Sequence, residues 1–262
     1  MENYKALVKR VLERGSIRQN RTGIQTISVF GESLVHDMRK GMPILTTKKI
    51  HIKSCIHELL WFLRGDTNIK YLNDNDVHIW DSWADANGNL GLIYGYQWTN
   101  SGPNHVNQVQ MAVDLIINDP YSRRIIIDAW NPSDLPNMAL PPCHILYQFY
   151  PEPITKELSL SVYMRSADVF LGVPFDIAEG GLLLSMMAQI TGYIPAKLIY
   201  TFGDTHIYTN HLQQVCEQLS RTCFELPRLV LNKRDNIFDY KFEDFSIVDY
   251  KYHPALKGKV AV

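Results

Sequence analysis

The chain has 262 residues, 46% hydrophobic and 20% charged, with a formal net charge of −1. That is enough chain for one large core. The near-zero charge excludes bulk attraction to nucleic acid but leaves room for a small anion held by a local basic cluster. No apolar run approaches the roughly 20 residues of a membrane span. The start, Met1 to Lys5, has no apolar signal region. The cysteines Cys55, Cys143, Cys216 and Cys223 show neither metal-ligand spacing nor a dense disulfide pattern. No metal site and a reducing, cytoplasmic setting are therefore expected. No linker, charge block or repeat marks a boundary, so residues 1–262 read as a single domain.

In chain order, Asn20 to Gly23 reads as a loop that carries Arg21. His51 to Arg64 places Ile52, Cys55, Ile56, Leu59, Leu60 and Leu63 at helical spacing and stops at Gly65, which predicts an amphipathic helix. Arg123 to Trp130 is Ile-rich and predicts a buried strand. Cys143 to Tyr150 and Leu158 to Met164 predict two more, joined by the turn around Pro151 to Lys156. Phe175 to Ile190 is nearly uncharged after Glu179 and ends at Gly192, which predicts a central buried helix. Leu198 to Phe202 predicts a strand, and His206 to Leu219 a helix. Strands and helices mixed in this order predict an α+β domain with one large sheet.

Several residues could carry chemistry. Cys143 follows Pro141-Pro142 at a strand start, where a side chain opens to a cleft more readily than at a strand centre. A lone cysteine is more often a small buried hydrophobe. In a positive setting, though, a thiolate would be a strong nucleophile. His144 should point to the other sheet face and so is a poor base for Cys143. Arg21, Arg123, Arg124 and Arg165 offer planar, bidentate donors suited to a phosphate. The Arg123-Arg124 pair precedes Ile125 to Ile127, so one arginine could face inward and need an anion. Glu58 has apolar flanks in mid-helix, where a carboxylate is costly unless it is paired or functional. Tyr94, and Ile79 to Trp83, read first as core aromatics.

The segments Arg21 to Gly23, Pro141 to His144, Arg165 to Ala178 and Gly203 to Tyr208, with Val260 to Val262, together resemble the thymidylate synthase family over nearly the whole chain. The resemblance implies a large bent mixed sheet packed by helices, whose back face pairs with a second subunit to form a homodimer. It implies one-carbon transfer from 5,10-methylenetetrahydrofolate to C5 of a pyrimidine deoxynucleotide 5′-monophosphate. Cys143 would be the nucleophile. Glu58 would move protons through ordered water, and Tyr94 would assist removal of the C5 proton. Arg21, Arg165 and Ser166 would bind the phosphate, with Arg123 and Arg124 reaching in from the partner. The nucleotide site would also include His206 and Tyr208. His51, Ile79, Trp80, Trp83, Asp168, Leu171, Gly172, Phe175 and Ala261 would line the folate site, with Asp168 also counted among the catalytic groups. The tail Val260 to Val262 would close over the folate as a lid.

Asp176 departs from the family pattern, which has Asn at this base-reading position. An amide suits uracil, whose N3–H donates and O4 accepts. A carboxylate accepts from the N4 amino group of cytosine and opposes uracil O4. If Asp176 or N3 carries a proton, a second hydrogen bond forms and C6 becomes more electrophilic. Relatives acting on deoxycytidylate (dCMP) share this Asp. Met164 and Ala167 replace a typical Gln and Cys, and Glu179-Gly180-Gly181 replaces Ser-Tyr-Ala. Two helical glycines cost roughly 1 kcal/mol each, which predicts that space is wanted there. Glu179 lies three residues after Asp176, close enough for each to perturb the other. Trp80, Leu140 and the C-terminus favour reduction to methyl. The glycine space and Glu179 favour hydration to hydroxymethyl. The reading adopted is dCMP hydroxymethylase or methylase, with thymidylate synthesis from deoxyuridylate (dUMP) as the alternative. An RNA-binding protein reusing the fold is disfavoured by the near-neutral charge.

Overall fold

The structure, a computed structural model, describes residues 1–261. It opens with α1 (Glu2–Arg14), β1 (Ser16–Arg18) and β2 (Thr26–Asp37). Four helices follow: α2 (Ile52–Leu63), α3 (Lys70–Asp74), α4 (Tyr94–Thr99) and α5 (Gln108–Asn118). Then come β3 (Ile126–Asp128), β4 (His144–Glu152), β5 (Glu157–Asp168), α6 (Val173–Thr191), β6 (Ile194–Tyr208) and α7 (Leu212–Ser220). A hairpin of β7 (Arg228–Leu231) and β8 (Phe245–Val248) closes the order.

One six-stranded sheet runs β1-β2-β6-β5-β4-β3. All of its pairings are antiparallel except β5 with β6. That pair is parallel because the chain must cross over between the strands, and α6 is the crossover. Register shifts at His144/Leu146 and Leu158/Leu160 interrupt two of the ladders. The α+β expectation with one large mixed sheet holds.

The two sheet faces differ sharply. Tyr147, Val162, Tyr200 and Leu34 stand side by side across four strands, and all are buried under the helical layer. One residue along, Gln148, Ser161, Ile199 and Val35 form the opposite row, where Val35 is 53% exposed. The period of two puts these rows on opposite faces. Phe30 on the same strand as Val35 is 80% exposed.

Several bounds differ from the sequence reading. Only Ile126–Asp128 of the predicted Arg123–Trp130 strand is extended in the sheet. Arg123 and Arg124 precede it, and both are exposed, so neither faces the interior. Among the described residues neither makes an ion pair. The strand predicted at Leu198–Phe202 extends to Tyr208. It therefore takes His206 and Tyr208 out of the predicted helix, which begins only at Leu212. The run Thr205-His206-Ile207 pairs with β2, and that pairing overrides the apolar spacing that suggested a helix. α1 and β2 were not anticipated.

α6 is buried along most of its length and ends at Gly192 with φ 74°, the left-handed conformation that glycine adopts without strain. Its two internal glycines do not leave open space, contrary to the sequence expectation. A Cβ on Gly180 would lie 2.4 Å from the Tyr200 hydroxyl, and one on Gly181 would lie 2.7 Å from Pro43. The glycines let the sheet and the Met42-Pro43 segment approach the helix. Tyr200 uses that approach to donate its hydroxyl to the Asp176 carbonyl. Gly180→Ala should therefore destabilise the fold by roughly 1–3 kcal/mol through overpacking, despite alanine's better helix propensity. In a Tyr200→Phe background the loss should shrink. Urea midpoints of the four proteins test this, and an equal loss in both backgrounds would contradict it.

Candidate active site

Cys143 sits just before β4, partly exposed, at the mouth of the sheet. Prolines at 141 and 142 have no N–H to offer a ladder, so their carbonyls look elsewhere. The Arg165 guanidinium donates to both, at 2.7 Å to Pro142 and 2.8 Å to Pro141. The Arg165 N–H also donates to the Cys143 carbonyl at 2.9 Å, and the Tyr94 hydroxyl accepts the Cys143 N–H at 2.6 Å. The thiol is thus fixed through its backbone on both sides. Burial pushes the Cys143 thiol up, while Arg165 and Arg21 pull it down against Asp176 and Asp168.

Parallel pairing of β5 and β6 sets Ser166 opposite Asp204 and Asp168 opposite His206. His206 is held by Asp204 at 2.9 Å, and Asp204 also accepts from Ser28 at 2.8 Å. Tyr208 packs edge-on to His206 and lies within electrostatic reach of Arg21, Asp168 and Cys143. Arg21 is carried on a turn tied by Asn20, whose side-chain oxygen accepts from Thr22. One wall of the cleft is therefore basic and rich in hydroxyls. Its chemistry suits a phosphate.

The opposite wall is acidic. Glu58 on α2 and Asp176 and Glu179 on α6 converge where these helices pack. Glu58 Oε1 accepts from the Trp80 indole at 2.7 Å. Burial raises Glu58 to about 7, opposed by hydrogen bonds from Trp80 and Glu179. Burial also raises Asp176 to about 7, helped by repulsion from Glu58 and then Asp168. Glu179 is raised as well, chiefly by burial. His144 Nε2 lies 3.8 Å from Asp176 Oδ1, and the ring stacks on Tyr94 at 4.5 Å between centroids. Burial lowers His144 to about 3, so it is neutral at pH 7. The Tyr147 hydroxyl bonds to His144 Nδ1, and Nε2 faces Asp176.

The aromatic residues expected at the folate site adjoin this wall. Trp80 and Trp83 meet edge to face at 5.8 Å. Trp80 is buried, whereas Ile79 and Trp83 are half-buried, and the Trp83 indole N–H has no partner among the described residues. An unpaired N–H beside exposed aromatic surface fits a flat heterocycle with acceptor atoms. Across from them, Asp168 accepts from the N–H groups of Phe170 and Leu171 at 3.0 and 3.1 Å, which shapes the turn into Gly172 and Phe175. His51 precedes α2 and is exposed, with Nδ1 2.7 Å from the Ser54 hydroxyl. The tail is tied down as far as Lys259, whose carbonyl lies 3.0 Å from His211 Nε2. Ala261 is half-buried, and Val262 lies outside the described residues.

A family model described as thymidylate synthase matches residues 2–262. The chain belongs to the thymidylate synthase family. The family carries out folate-dependent one-carbon transfer to C5 of a pyrimidine nucleotide and uses methylenetetrahydrofolate as co-substrate.

Of the residues named from the sequence, Arg165, Arg21, Asp176 and Asp168 lie within electrostatic reach of Cys143, and sequence reasoning passed over others nearby. It set His144 aside, and the ring proves to face Asp176. It did not single out Tyr147 or Tyr200, because each reads as an ordinary core aromatic. Strand alternation held the signal, since Tyr147 and Tyr200 share the buried face. It also missed Lys48, which is 4% exposed, donates to the Phe170 carbonyl and is lowered to about 8 by burial, opposed by Asp168. A lysine in the run Thr46 to Lys49 gave no sign of burial. Among the described residues no helix is long and apolar enough to cross a membrane, and no group of three metal-ligating side chains occurs.

Proposed function

We propose that the chain transfers a one-carbon unit from methylenetetrahydrofolate to C5 of dCMP, giving the hydroxymethyl product. The observation that carries this reading is Asp176, a largely enclosed carboxyl, 15% exposed at its side chain, raised to about 7 and flanked by Glu58 rather than by a cation. Cytosine presents an N4 donor and an N3 acceptor. A carboxyl with one proton to share matches both, accepting from N4–H and sharing its proton with N3. Uracil presents O4 and N3–H instead, and O4 would face an acceptor. The basic wall formed by Arg21, Arg165, Ser166, His206 and Tyr208 takes the phosphate, so the nucleotide spans the cleft from arginines to carboxyls.

In this reading Cys143 adds to C6, and the proton shared between Asp176 and N3 draws charge away from the ring. C5 becomes nucleophilic and takes the one-carbon unit that the folate supplies. Tyr94, whose hydroxyl sits at the Cys143 N–H, helps remove the C5 proton as the carbon–nitrogen bond to the folate breaks, which leaves an exocyclic methylene on C5. Glu58 then takes a proton from water as the hydroxyl adds to the exocyclic carbon, and departure of the Cys143 sulfur restores the ring. The assignment of hydroxymethyl rests on the resemblance of Asp176 to deoxycytidylate relatives. A methyl product is the alternative. Offering dCMP and dUMP separately with methylenetetrahydrofolate, with products weighed by mass spectrometry, tests both base and product. Turnover of dUMP alone would overturn the reading in favour of thymidylate synthesis.

We further propose a homodimer through the open sheet face, with Arg123 and Arg124 completing the partner's phosphate site. Two features support it: the uncovered row containing Val35 and Ile199, and two exposed arginines without an ion pair among the described residues. Mixing an inactive Arg124→Glu variant with an inactive Cys143→Ala variant should restore activity to one site in each hybrid dimer. No recovery despite demonstrated subunit exchange would count against a shared site.

A further inference from the structure

A neutral carboxyl does not by itself tell cytosine from uracil. With its proton on the oxygen that meets position 4, it donates to O4 and accepts N3–H, as an amide does. With the proton on the other oxygen, it donates to N3 and accepts from the N4 amino group. Asp176 therefore selects cytosine only if something fixes which oxygen carries the proton.

His144 stands where it can do so. Its Nε2 lies 3.8 Å from Asp176 Oδ1, and it is the one basic side chain in ion-pair range of Asp176 among the described residues. Oδ2 lies on the other side, toward the turn at Gly172, where an added Cβ would meet it at 3.5 Å. The imidazole stacks on the Tyr94 ring at 4.5 Å, with the planes 23° apart. Tyr94 works at C5 in the proposed reaction, and position 4 is next to C5 in the base, with N3 beyond it. Oδ1, on the side of His144 and Tyr94, is thus the oxygen that meets position 4, and Oδ2 the one that meets N3.

Burial keeps His144 neutral at pH 7, so one ring nitrogen donates and the other accepts. Tyr147 bears on which is which. It is 4% exposed, stands perpendicular to the imidazole and packs edge-on to Trp98 at 5.1 Å. Its hydroxyl bonds to Nδ1 and makes no other hydrogen bond among the described residues. The crevice beside it has no room for a water molecule, and Glu179 Oε1, which borders that crevice, is unpaired among the described residues. A hydroxyl that accepted from Nδ1–H would leave its own proton buried without an acceptor. That cost favours the hydroxyl as the donor.

We propose that Tyr147 is a positioning residue for base selection: its hydroxyl donates to His144 Nδ1 and so holds the imidazole as the Nε2–H tautomer, a neutral donor aimed at Asp176 Oδ1. The proposal rests on the reading of Asp176 as the base reader. An oxygen that faces a donor keeps its lone pairs, so the carboxyl proton stays on Oδ2. Oδ1 then accepts from N4–H, and Oδ2 shares its proton with N3. Uracil O4 would meet a lone pair instead. At 3.8 Å the N–H is beyond hydrogen-bond length and acts through its dipole, which is little screened in so enclosed a site.

The first test needs no substrate. Nitrogen-15 NMR of the histidine-labelled, nucleotide-free protein reads the tautomer, with His144 assigned by its absence in His144→Gln. Wild type at neutral pH should show a neutral ring protonated at Nε2, and Tyr147→Phe should gain an Nδ1–H population. Nδ1–H in the wild type, or the same tautomer in both proteins, would overturn the proposal whichever base is turned over. The second test is kinetic. In Tyr147→Phe the ratio of kcat/KM for dCMP over dUMP should fall by at least about fivefold, roughly what a single hydrogen bond contributes. Glutamine at 144 carries an amide donor at the Nε2 position and has no tautomer to set. In a His144→Gln background Tyr147→Phe should therefore leave the ratio unchanged. A ratio that stays put in the single variant, or falls equally in both backgrounds, would overturn the role of Tyr147 in selection. A wild type that shows the expected tautomers but turns over dUMP alone would overturn the reading of Asp176, and selection by Tyr147 with it, while upholding the tautomer.

Discussion

Replacing Cys143 by serine is expected to cut turnover by at least about a thousandfold, because an alcohol is a far weaker nucleophile than a thiol toward C6. Nucleotide affinity should change by less than about tenfold. The reason lies in how the residue is held. Its N–H bonds to Tyr94 and its carbonyl to the Arg165 N–H, both backbone contacts that serine keeps. Arg165 is fixed by the carbonyls of Pro141 and Pro142 and does not need the sulfur. The phosphate wall should therefore survive the substitution. Calorimetric titration with nucleotide alone and single-turnover assays with folate separate the two effects. Substantial turnover by serine enzyme free of wild type would remove Cys143 from the reaction.

Asp176→Asn should shift the ratio of kcat/KM for dCMP over dUMP toward dUMP by at least about tenfold, since one buried polar mismatch costs roughly 1–3 kcal/mol. The sign follows from hydrogen-bond polarity. An amide can accept N3–H of uracil and donate to O4, whereas the ionised Asp176 opposes O4. A second readout comes from the proton. The folded carboxyl, raised to about 7 by burial first and Glu58 second, shares a proton with cytosine N3. Binding of dCMP to the wild type should weaken as pH rises through that value, and binding of dUMP to the Asn variant should lack that dependence. Glu179 and Gly180, whose space is filled by Tyr200, stay in place, so the switch need not be complete. If wild type already prefers dUMP, or if the ratio stays put in the variant, Asp176 does not read the base.

Much of this protein was legible in the chain itself. Local patterns specify the helix Ile52–Leu63, the buried helix Val173–Thr191 with its Gly192 stop, and the Ile-rich and alternating segments that became β3, β4 and β5. Each of these signals is short-range and set by side-chain periodicity and glycine. Cys143, Arg21, Arg165, Glu58 and Asp176 were singled out chiefly through the family resemblance, and the structure sets Arg165, Arg21 and Asp176 within electrostatic reach of Cys143. What only the tertiary structure decided involves partners distant in sequence. His206 belongs to a strand because β2 pairs with it across 178 positions (Ser28 to His206), a contact that no local window contains. The glycines at 180 and 181 looked like room for water until Tyr200 and Pro43, from elsewhere in the chain, proved to fill it. The neutral His144 facing Asp176, and the raised carboxyls of Glu58, Asp176 and Glu179, exist because helices α2 and α6 and strand β4 exclude water around these groups. Burial, rather than residue type, set their protonation.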